Sequence, residues 1–135
     1  MIIIENDDRI FNIIDTLTLC EELQIPMVLD YLHYQCNNNK EKLENYLPRI
    51  FATWNKTNFN PKIHFSSPKN TKNKRHHSDF IDYKGFHKCL DLLSKTNQNI
   101  DIMLECKAKD IALFTLARRL QHEGYQFINR TTFII

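Results

Sequence analysis

Long apolar runs and paired cysteines are both absent from this 135-residue chain. No window approaches the roughly 18 consecutive apolar residues that a membrane-spanning helix needs, which argues against a membrane protein. The four cysteines, Cys20, Cys36, Cys89 and Cys106, lie far apart and form no CxxC pair. That spacing argues against a disulfide scaffold and against a zinc knuckle. We expect reduced cysteines, with Cys20 and Cys89 packed on helix faces.

A targeting segment and a strong excess of one charge are absent as well. The apolar stretch after Met1 is three isoleucines long and stops at Glu5, whereas a secretory signal needs about 7 to 15 apolar residues. We therefore expect an intracellular, cytoplasmic protein. The formal net charge of +2 is too small to indicate a nucleic-acid partner by itself. With 42% hydrophobic and 25% charged residues, the composition is typical of one globular domain.

What the chain does contain is a regular alternation of short apolar and amphipathic segments. The apolar segments predict strands at 2–5, from Pro26 onward, at 61–66 and at 100–105. The amphipathic segments predict helices from a cap at Asn6 or Asp7 to about 22, over 40–55 in two pieces divided at Pro48, over 82–95, and over 109–122 with Gly124 as the stop. The apolar face of the first helix is predicted to comprise Ile10, Phe11, Ile13, Ile14, Leu17 and Leu23. This order predicts right-handed βαβ units and a parallel sheet, with a short extra strand in the tail from 125 to 135.

Carboxylates and imidazoles follow the apolar segments at the points where the strands end. They are Glu5, Asp30 with His33, His64, and Glu105. In an α/β barrel the strands point one way, so ligands at their carboxyl ends converge on one site although they are far apart in sequence. Oxygen and nitrogen ligands brought together in this way suit divalent metal ions.

These residues also have purely structural interpretations. A carboxylate after a strand is often the cap of the next helix, and an isolated His64 is more often a core histidine than a ligand. Glu5 and Glu105 directly end apolar runs, so each is costly to bury unless it is paired or bound to metal. Lys62 shares a strand face with His64 by the period of two, which favours the ligand interpretation of His64. For Asp30 and His33 the two interpretations are evenly balanced.

The predicted sheet indicates a partial barrel. A complete eight-stranded barrel takes about 250 residues, and four parallel strands alone leave both edges unpaired. We therefore expect residues 1–135 to form one α/β domain whose parallel (β/α) units make up half of a TIM barrel. A small flavodoxin-like sheet is the alternative, although the strand-end ligands would then lose their common focus.

Five ordered motifs carry a resemblance to a known family. They are Glu5-Asn6-Asp7-Asp8, Ile25 through Asp30 with His33, Lys62-Ile63-His64 leading into Ser66-Ser67-Pro68-Lys69, His77-Ser78-Asp79, and Asp101 through Lys107. In this order they closely resemble the C-terminal half of the UV damage endonucleases, which are TIM-barrel DNA repair enzymes. The resemblance covers residues 1–120. It departs from the family pattern at Leu32 and Tyr34, where histidine is commoner, and at Cys106, where a small residue is usual.

The resemblance implies both a site and an activity. The implied metal ligands are Glu5, Asp30, His33, His64, His77 and Glu105, with Lys62 as an active-site lysine close to the metals. The implied activity is nicking of DNA on the 5′ side of UV photoproducts at a cluster of metal ions, Mn²⁺ first and Zn²⁺ as the alternative. Because the family's N-terminal half supplies further ligands and lesion-probing residues, the resemblance also implies a fragment that needs a complementing half-barrel chain.

A basic loop at the predicted mouth of the barrel fits a DNA partner. Its residues are Lys69, Lys72, Lys74 and Arg75, to which Lys107 adds a fifth positive charge. Such runs are usually solvated surface, but beside a metal site they suit damaged double-stranded DNA, because they can contact its phosphates. A metal-dependent sugar isomerase-like barrel would need no such loop. A non-catalytic remnant that binds DNA or a partner chain stays open as the second alternative.

Overall fold

The computed structural model describes residues 1–135. Its strands are β1 (Ile4–Glu5), β2 (Met27–Asp30), β3 (Lys62–Phe65), β4 (Asp101–Leu104), β5 (Gln126–Phe127) and β6 (Phe133–Ile134). Its helices are α1 (Ile13–Leu23), α2 (Tyr31–Cys36), α3 (Leu47–Ala52), α4 (Tyr83–Leu93) and α5 (Lys109–His122). Two 3₁₀ turns, Leu43–Asn45 and Ser94–Thr96, complete the regular structure.

The first four strands form one parallel sheet in the order β1-β2-β3-β4. The predicted parallel α/β arrangement is therefore confirmed. The tail forms the antiparallel hairpin β5-β6 where the sequence predicted one short strand. Its rings explain the pairing, because Phe133 stacks on Phe127 and meets Tyr125 edge to face.

The two faces of the sheet have different environments. One face packs on the helices through a core that includes Met27, Leu29, Ile63, Phe65, Leu17, Ile50, Phe86, Leu90 and Leu116. Side chains alternate along a strand, so Asp30 and His64 point to the opposite face. This alternation removes Asp30 and His64 from the helix-packed core and places them on the other face of the sheet.

The predicted start of the first helix is wrong. Helix α1 begins at Ile13, and Asn12 is its cap in a reciprocal capping box with Asp15. The carboxylate of Asp7 instead accepts the backbone N–H groups of residues 9, 10 and 11, which closes a turn after β1. Three residues of the predicted apolar face are exposed: Ile10 and Phe11 precede the helix, and Leu23 is its last residue.

The segment between β2 and β3 contains one helix that the sequence did not predict. Helix α2 follows β2 directly, because the Asp30 side chain caps it by accepting the N–H of His33 at 2.7 Å. The two-piece helix is confirmed in shorter form, as the Leu43–Asn45 turn and α3 with Pro48 in its first turn. After α3, Trp54 is buried and its Nε1–H donates to the carbonyl of Met27 at 2.7 Å.

The last two predicted helices are confirmed to within two residues. Asp82 caps α4 by accepting the N–H of Gly85 at 2.7 Å. Gly124 follows α5 with a φ of +95°, a left-handed conformation that glycine adopts without strain, so it ends the helix as predicted. All four cysteines are free, and Cys20 and Cys89 are buried on α1 and α4 as predicted. None of the helices combines the length and the apolar character needed to cross a membrane.

Candidate metal centre

The carboxyl ends of all four parallel strands carry the predicted ligands. Glu5 and Asp30 are the last residues of β1 and β2, and His64 is the third residue of β3. Glu105 directly follows β4 and is held beside β3, because its N–H donates to the carbonyl of Phe65 at 2.9 Å. The register places Asp30 opposite His64 across neighbouring strands. Parallel pairing therefore brings the ligands to the same end of the sheet, the carboxyl end of its strands.

Glu5 lies between two imidazoles. Its Oε1 is 3.3 Å from Nδ1 of His33, and its Oε2 is 3.2 Å from Nδ1 of His64. The same His64 nitrogen is 3.4 Å from Oε1 of Glu105. The other oxygen of Glu105 is 3.8 Å from Nε2 of His77, which arrives from the loop after β3. One chain of contacts thus runs from His33 to His77.

Asp30 lies at the bottom of this cluster and is fully buried. Its Oδ1 caps α2, while its Oδ2 is 3.8 Å from Nδ1 of His33 and has no hydrogen-bond partner. Ligand atoms of Glu5, Asp30 and His33 lie within 4.8 Å of one another, and so do those of Asp30, His64 and Glu105. The two sets share Asp30 and together contain five of the six predicted ligands, and His77 is linked to them by its 3.8 Å contact with Glu105.

The electrostatics of the cluster follow from its crowding. Burial raises the pKa of Asp30 to about 6, and the charges of Glu5 and Glu105 add to that increase. Burial also acts to raise the pKa of Glu5, but the contacts and charges of His33 and His64 outweigh it and bring the pKa down to about 2. The Glu5 carboxylate in turn raises the pKa of His33 to about 9 and also raises that of His64. The carboxylate of Glu5 therefore favours the protonated form of the His33 and His64 rings.

A buried atom without a partner shows that this cluster fits a divalent metal. Oδ2 of Asp30 is buried and has no hydrogen-bond partner, while the buried Nδ1 of His64 has only the carboxylates of Glu5 and Glu105 beside it, at 3.2 and 3.4 Å. A buried polar atom without a partner is costly, and metal coordination is one way to satisfy it. Three carboxylates and three imidazoles form the mixed oxygen and nitrogen donor set that suits Mn²⁺ or Zn²⁺.

Comparison with known proteins identifies the family. The model of the family described as UV-endonuclease UvdE matches residues 1–133. The chain belongs to the UvdE family. A UV DNA damage endonuclease of Bacillus cereus (strain B4264) is 44% identical over 117 residues, which are 87% of this chain and 37% of that protein. One from Bacillus thuringiensis subsp. konkukian (strain 97-27) is 43% identical over 130 residues, 96% of this chain and 41% of that protein.

A solved structure supports the same assignment. The crystal structure of SacUVDE matches with a TM-score of 0.75 and 30% sequence identity, covering 90% of this chain and 40% of that one. The predicted fold class is thereby confirmed, as α/β units that match part of a UvdE structure. The chain spans about two fifths of the length of the UvdE relatives that it matches.

Lys62, the predicted active-site lysine of this UvdE chain, lies outside the chain of contacts that joins the ligands. Its Nζ lies 2.6 Å from Oδ2 of Asp101 and 5.7 Å from the centre of the Phe59 ring. Asp101 is the register partner of Lys62 at the amino-terminal ends of β3 and β4. The lysine shares a sheet face with His64, as the period of two predicted, but its ion pair directs the ammonium group toward Asp101.

The predicted basic loop of this UvdE chain is an exposed hairpin beside the metal centre. A bridge joins Pro68 to His77, and the N–H of Lys69 donates to the carbonyl of His76 at 2.7 Å. The N–H of Lys107 donates to the carbonyl of Ser78 at 3.2 Å, which places that lysine next to the loop. All five basic residues are exposed: Lys69, Lys72, Lys74, Arg75 and Lys107. Arg75 of this loop forms an ion pair at 3.2 Å with Asp8, which lies in the turn after β1.

Two buried polar residues that directly follow strands were assigned no role in the site by sequence reasoning, and Asn6 was predicted only as a possible cap of the first helix. Asn6 is 1% exposed and contacts both Asp30 and His33, although in the sequence it is one polar residue within an acidic run. Ser66 is 2% exposed, and its hydroxyl has no partner. The sequence signal for each was its position directly after a strand, which does not reveal burial.

Proposed function

We propose that this chain is the metal-binding part of a DNA endonuclease that nicks 5′ of UV photoproducts in excision repair. The observation that carries the proposal is the convergence of Glu5, Asp30, His33, His64 and Glu105 at the carboxyl end of the sheet, with His77 beside Glu105 and a buried Asp30 oxygen without a partner. Membership of the UvdE family supplies the reaction class, since its relatives are named UV DNA damage endonucleases.

In this proposal each ligand residue has a defined task. Glu5, Asp30 and Glu105 hold divalent ions through carboxylate oxygens, and His33, His64 and His77 hold them through ring nitrogens. Bound ions, Mn²⁺ first and Zn²⁺ as the alternative, supply an activated water and neutralise charge on the scissile phosphate. Asp30, which is buried and caps α2, is the deepest ligand of the proposed site. Lys62 is proposed to neutralise phosphate charge from the same sheet face.

The basic hairpin supplies the contact with DNA. Its side chains extend into solvent next to His77, so a duplex bound there would have its backbone beside the metal centre. Contacts of this kind position the phosphates and carry no sequence information, which suits an enzyme that reads damage rather than sequence.

The open edges of the sheet support the proposal that the chain needs a partner segment for activity. β1 and β4 each have a strand neighbour on one side only. Ile2, Ile3 and Met103, on or next to these edge strands, are exposed apolar residues. Uncovered edges and apolar patches of this kind favour pairing with another chain or segment. We propose that the complement is an N-terminal half-barrel.

The decisive experiment restores that half. The N-terminal part of the Bacillus cereus relative, fused or supplied in trans, is expected to give Mn²⁺-dependent nicking of UV-irradiated duplex DNA and little nicking of intact DNA. The chain alone is expected to show little activity. Equal nicking of irradiated and intact DNA, or unchanged nicking in excess chelator, would contradict the proposal.

The role of the hairpin needs a matched control. Replacing Lys72, Lys74 and Arg75 by serine is expected to weaken DNA binding and to reduce its dependence on salt, by up to about one unit of slope per lost phosphate contact. The control replaces three exposed lysines that lie outside the hairpin and the metal centre: Lys56, Lys88 and Lys95. Equal losses in the two triple variants would show that only total charge matters.

One observation favours a second candidate, a non-catalytic module that binds DNA or a partner chain. The chain spans about two fifths of its UvdE relatives, so groups that catalysis requires can lie in the remaining part. DNA binding without nicking, even after complementation and with metal bound, would support this candidate. Membership of the UvdE family speaks against the sugar isomerase alternative.

A further inference from the structure

Asn6 occupies a buried position where β1 ends. Its side-chain amide pairs with both backbone groups of Asp30: the Oδ1 accepts the Asp30 N–H at 2.9 Å, and the Nδ2 donates to the Asp30 carbonyl at 3.1 Å. This reciprocal pair continues the ladder between β1 and β2 by one step, with a side chain in place of a peptide group. The end of β2 is thereby tied to the end of β1.

The backbone of Asn6 contacts a second ligand. Its carbonyl oxygen lies 2.9 Å from Nδ1 of His33. A carbonyl only accepts, so Nδ1 of His33 must carry the hydrogen, and in the neutral ring the lone pair lies on Nε2. Partners of this kind fix the tautomer and the orientation of histidines that bind metals.

We propose that Asn6 is a positioning residue for the metal centre. It follows Glu5 in sequence, clamps Asp30 through its side chain and orients His33 through its carbonyl, so one residue sets the relative positions of three ligands. This inference rests on the proposed metal-binding function and deepens it. Asn6 itself need not touch metal or DNA.

Thr53 provides a matched control for this clamp. Its Oγ1 accepts the N–H of Met27 at 2.9 Å, so it ties down the opposite end of the same strand, β2, and it contacts none of the ligands. Thr53→Val removes that hydrogen bond with little change of shape. Both Asn6→Ala and Thr53→Val are expected to lower the melting temperature of the metal-free chain.

Mn²⁺ affinity separates a positioning role from a merely structural one. Measured by calorimetry on folded protein, Asn6→Ala is expected to bind Mn²⁺ about 10- to 100-fold more weakly than wild type, the usual effect of removing an outer partner of metal ligands. Thr53→Val is expected to bind Mn²⁺ as wild type does. Equal affinity in wild type and Asn6→Ala, or equal losses in the two variants, would overturn the inference.

A second variant covers the case in which Asn6→Ala does not fold. Asn6→Asp keeps an acceptor for the Asp30 N–H but loses the donor to its carbonyl. An added negative charge on its own would tighten Mn²⁺ binding, whereas a weakened clamp loosens it. Weaker binding would support the inference, and equal or tighter binding would overturn it.

A wild-type chain that bound neither Mn²⁺ nor Zn²⁺ would contradict the proposed function instead. The ring of His33 would still test the role of Asn6. Nitrogen chemical shifts recorded where the ring is neutral are expected to show the Nδ1–H form in wild type, because the carbonyl of Asn6 accepts from Nδ1. A neutral ring that carries its hydrogen on Nε2 instead would overturn the inference.

Discussion

The carboxylates at the two ends of the parallel sheet differ in how completely they are hydrogen-bonded. At the amino-terminal end, Asp101 accepts from Lys62 at 2.6 Å and from Asn60 at 3.2 Å, so its carboxylate is paired on both oxygens. At the carboxyl end, one oxygen of Asp30 caps α2 and the other is buried without a hydrogen-bond partner, in the same cluster as His64 and Glu105. The carboxylate of Asp101 is thus fully paired within the chain, whereas that of Asp30 is only half paired. That difference is what we expect if Asp101 stabilises the fold and Asp30 binds a metal ion, as proposed.

The largest expected effect comes from neutralising Glu5, the carboxylate that links His33 to His64. In the complemented enzyme, Glu5→Gln is expected to reduce Mn²⁺-dependent nicking of irradiated DNA by about 100-fold or more, because a metal contributes several kcal/mol of charge stabilisation to such reactions. Nicking rates on irradiated duplex, at saturating Mn²⁺, measure it. An unchanged rate would remove Glu5 from the site.

The next effect concerns metal-linked stability. Mn²⁺ at about 100 times its dissociation constant is expected to stabilise the wild-type chain by about 2.7 kcal/mol. Glu105→Gln or His64→Ala is expected to remove most of that gain, since each deletes a ligand atom from the cluster. Thermal melts with and without Mn²⁺ test this. Identical metal-induced shifts in wild type and variants would show that the ion binds elsewhere.

A smaller effect is expected from Asp30→Asn in the absence of metal. The pKa of Asp30 is raised to about 6 from its ordinary value of 3.8. Between these two pH values the folded chain keeps a proton on Asp30 that the unfolded chain has released. Stability of the metal-free wild type therefore falls as the pH rises from about 4 to 6, and the cost persists above that range. Asn removes this cost, so the variant is expected to be about 1 to 2 kcal/mol more stable at pH 7.

Denaturant titrations at pH 4 and pH 7, in chelator, compare the two proteins. The stabilisation by Asp30→Asn should be larger at pH 7 than at pH 4, and Mn²⁺ should add little to the variant. A variant that is less stable than wild type at pH 7 would show that the carboxylate is already satisfied without metal.

The smallest effect is expected at the amino-terminal end of the sheet. Asp101→Asn breaks a partly exposed ion pair, and such pairs contribute about 0 to 1 kcal/mol. The stabilisation by Mn²⁺ is expected to stay as in wild type, because Asp101 contacts none of the six ligands. Thermal melts in chelator and in Mn²⁺ measure both quantities. A lost Mn²⁺ effect in this variant would show that the two ends of the sheet are coupled.

Local patterns in the sequence determined much of this protein. Apolar segments that end on Glu5, Asp30 or Glu105 predicted both the strands and the ligands. This was possible because parallel strands bring their carboxyl ends to the same end of the sheet, whichever segments connect them. Periodicity likewise located α4 and α5, and Gly124 marked the end of α5. These features depend on residues that are neighbours in the chain, so they are visible without the fold.

The tertiary structure decided which polar groups are paired. Asn6 clamps Asp30 from 24 residues away, and Lys62 finds Asp101 from 39 residues away. The same spacing of polar residues is compatible with either a paired or an orphaned carboxylate, since burial and hydrogen bonding depend on what the fold places opposite each side chain. The start of α1 was mispredicted for a related reason, because Asp7 closes a turn with its own backbone and leaves the capping to Asn12.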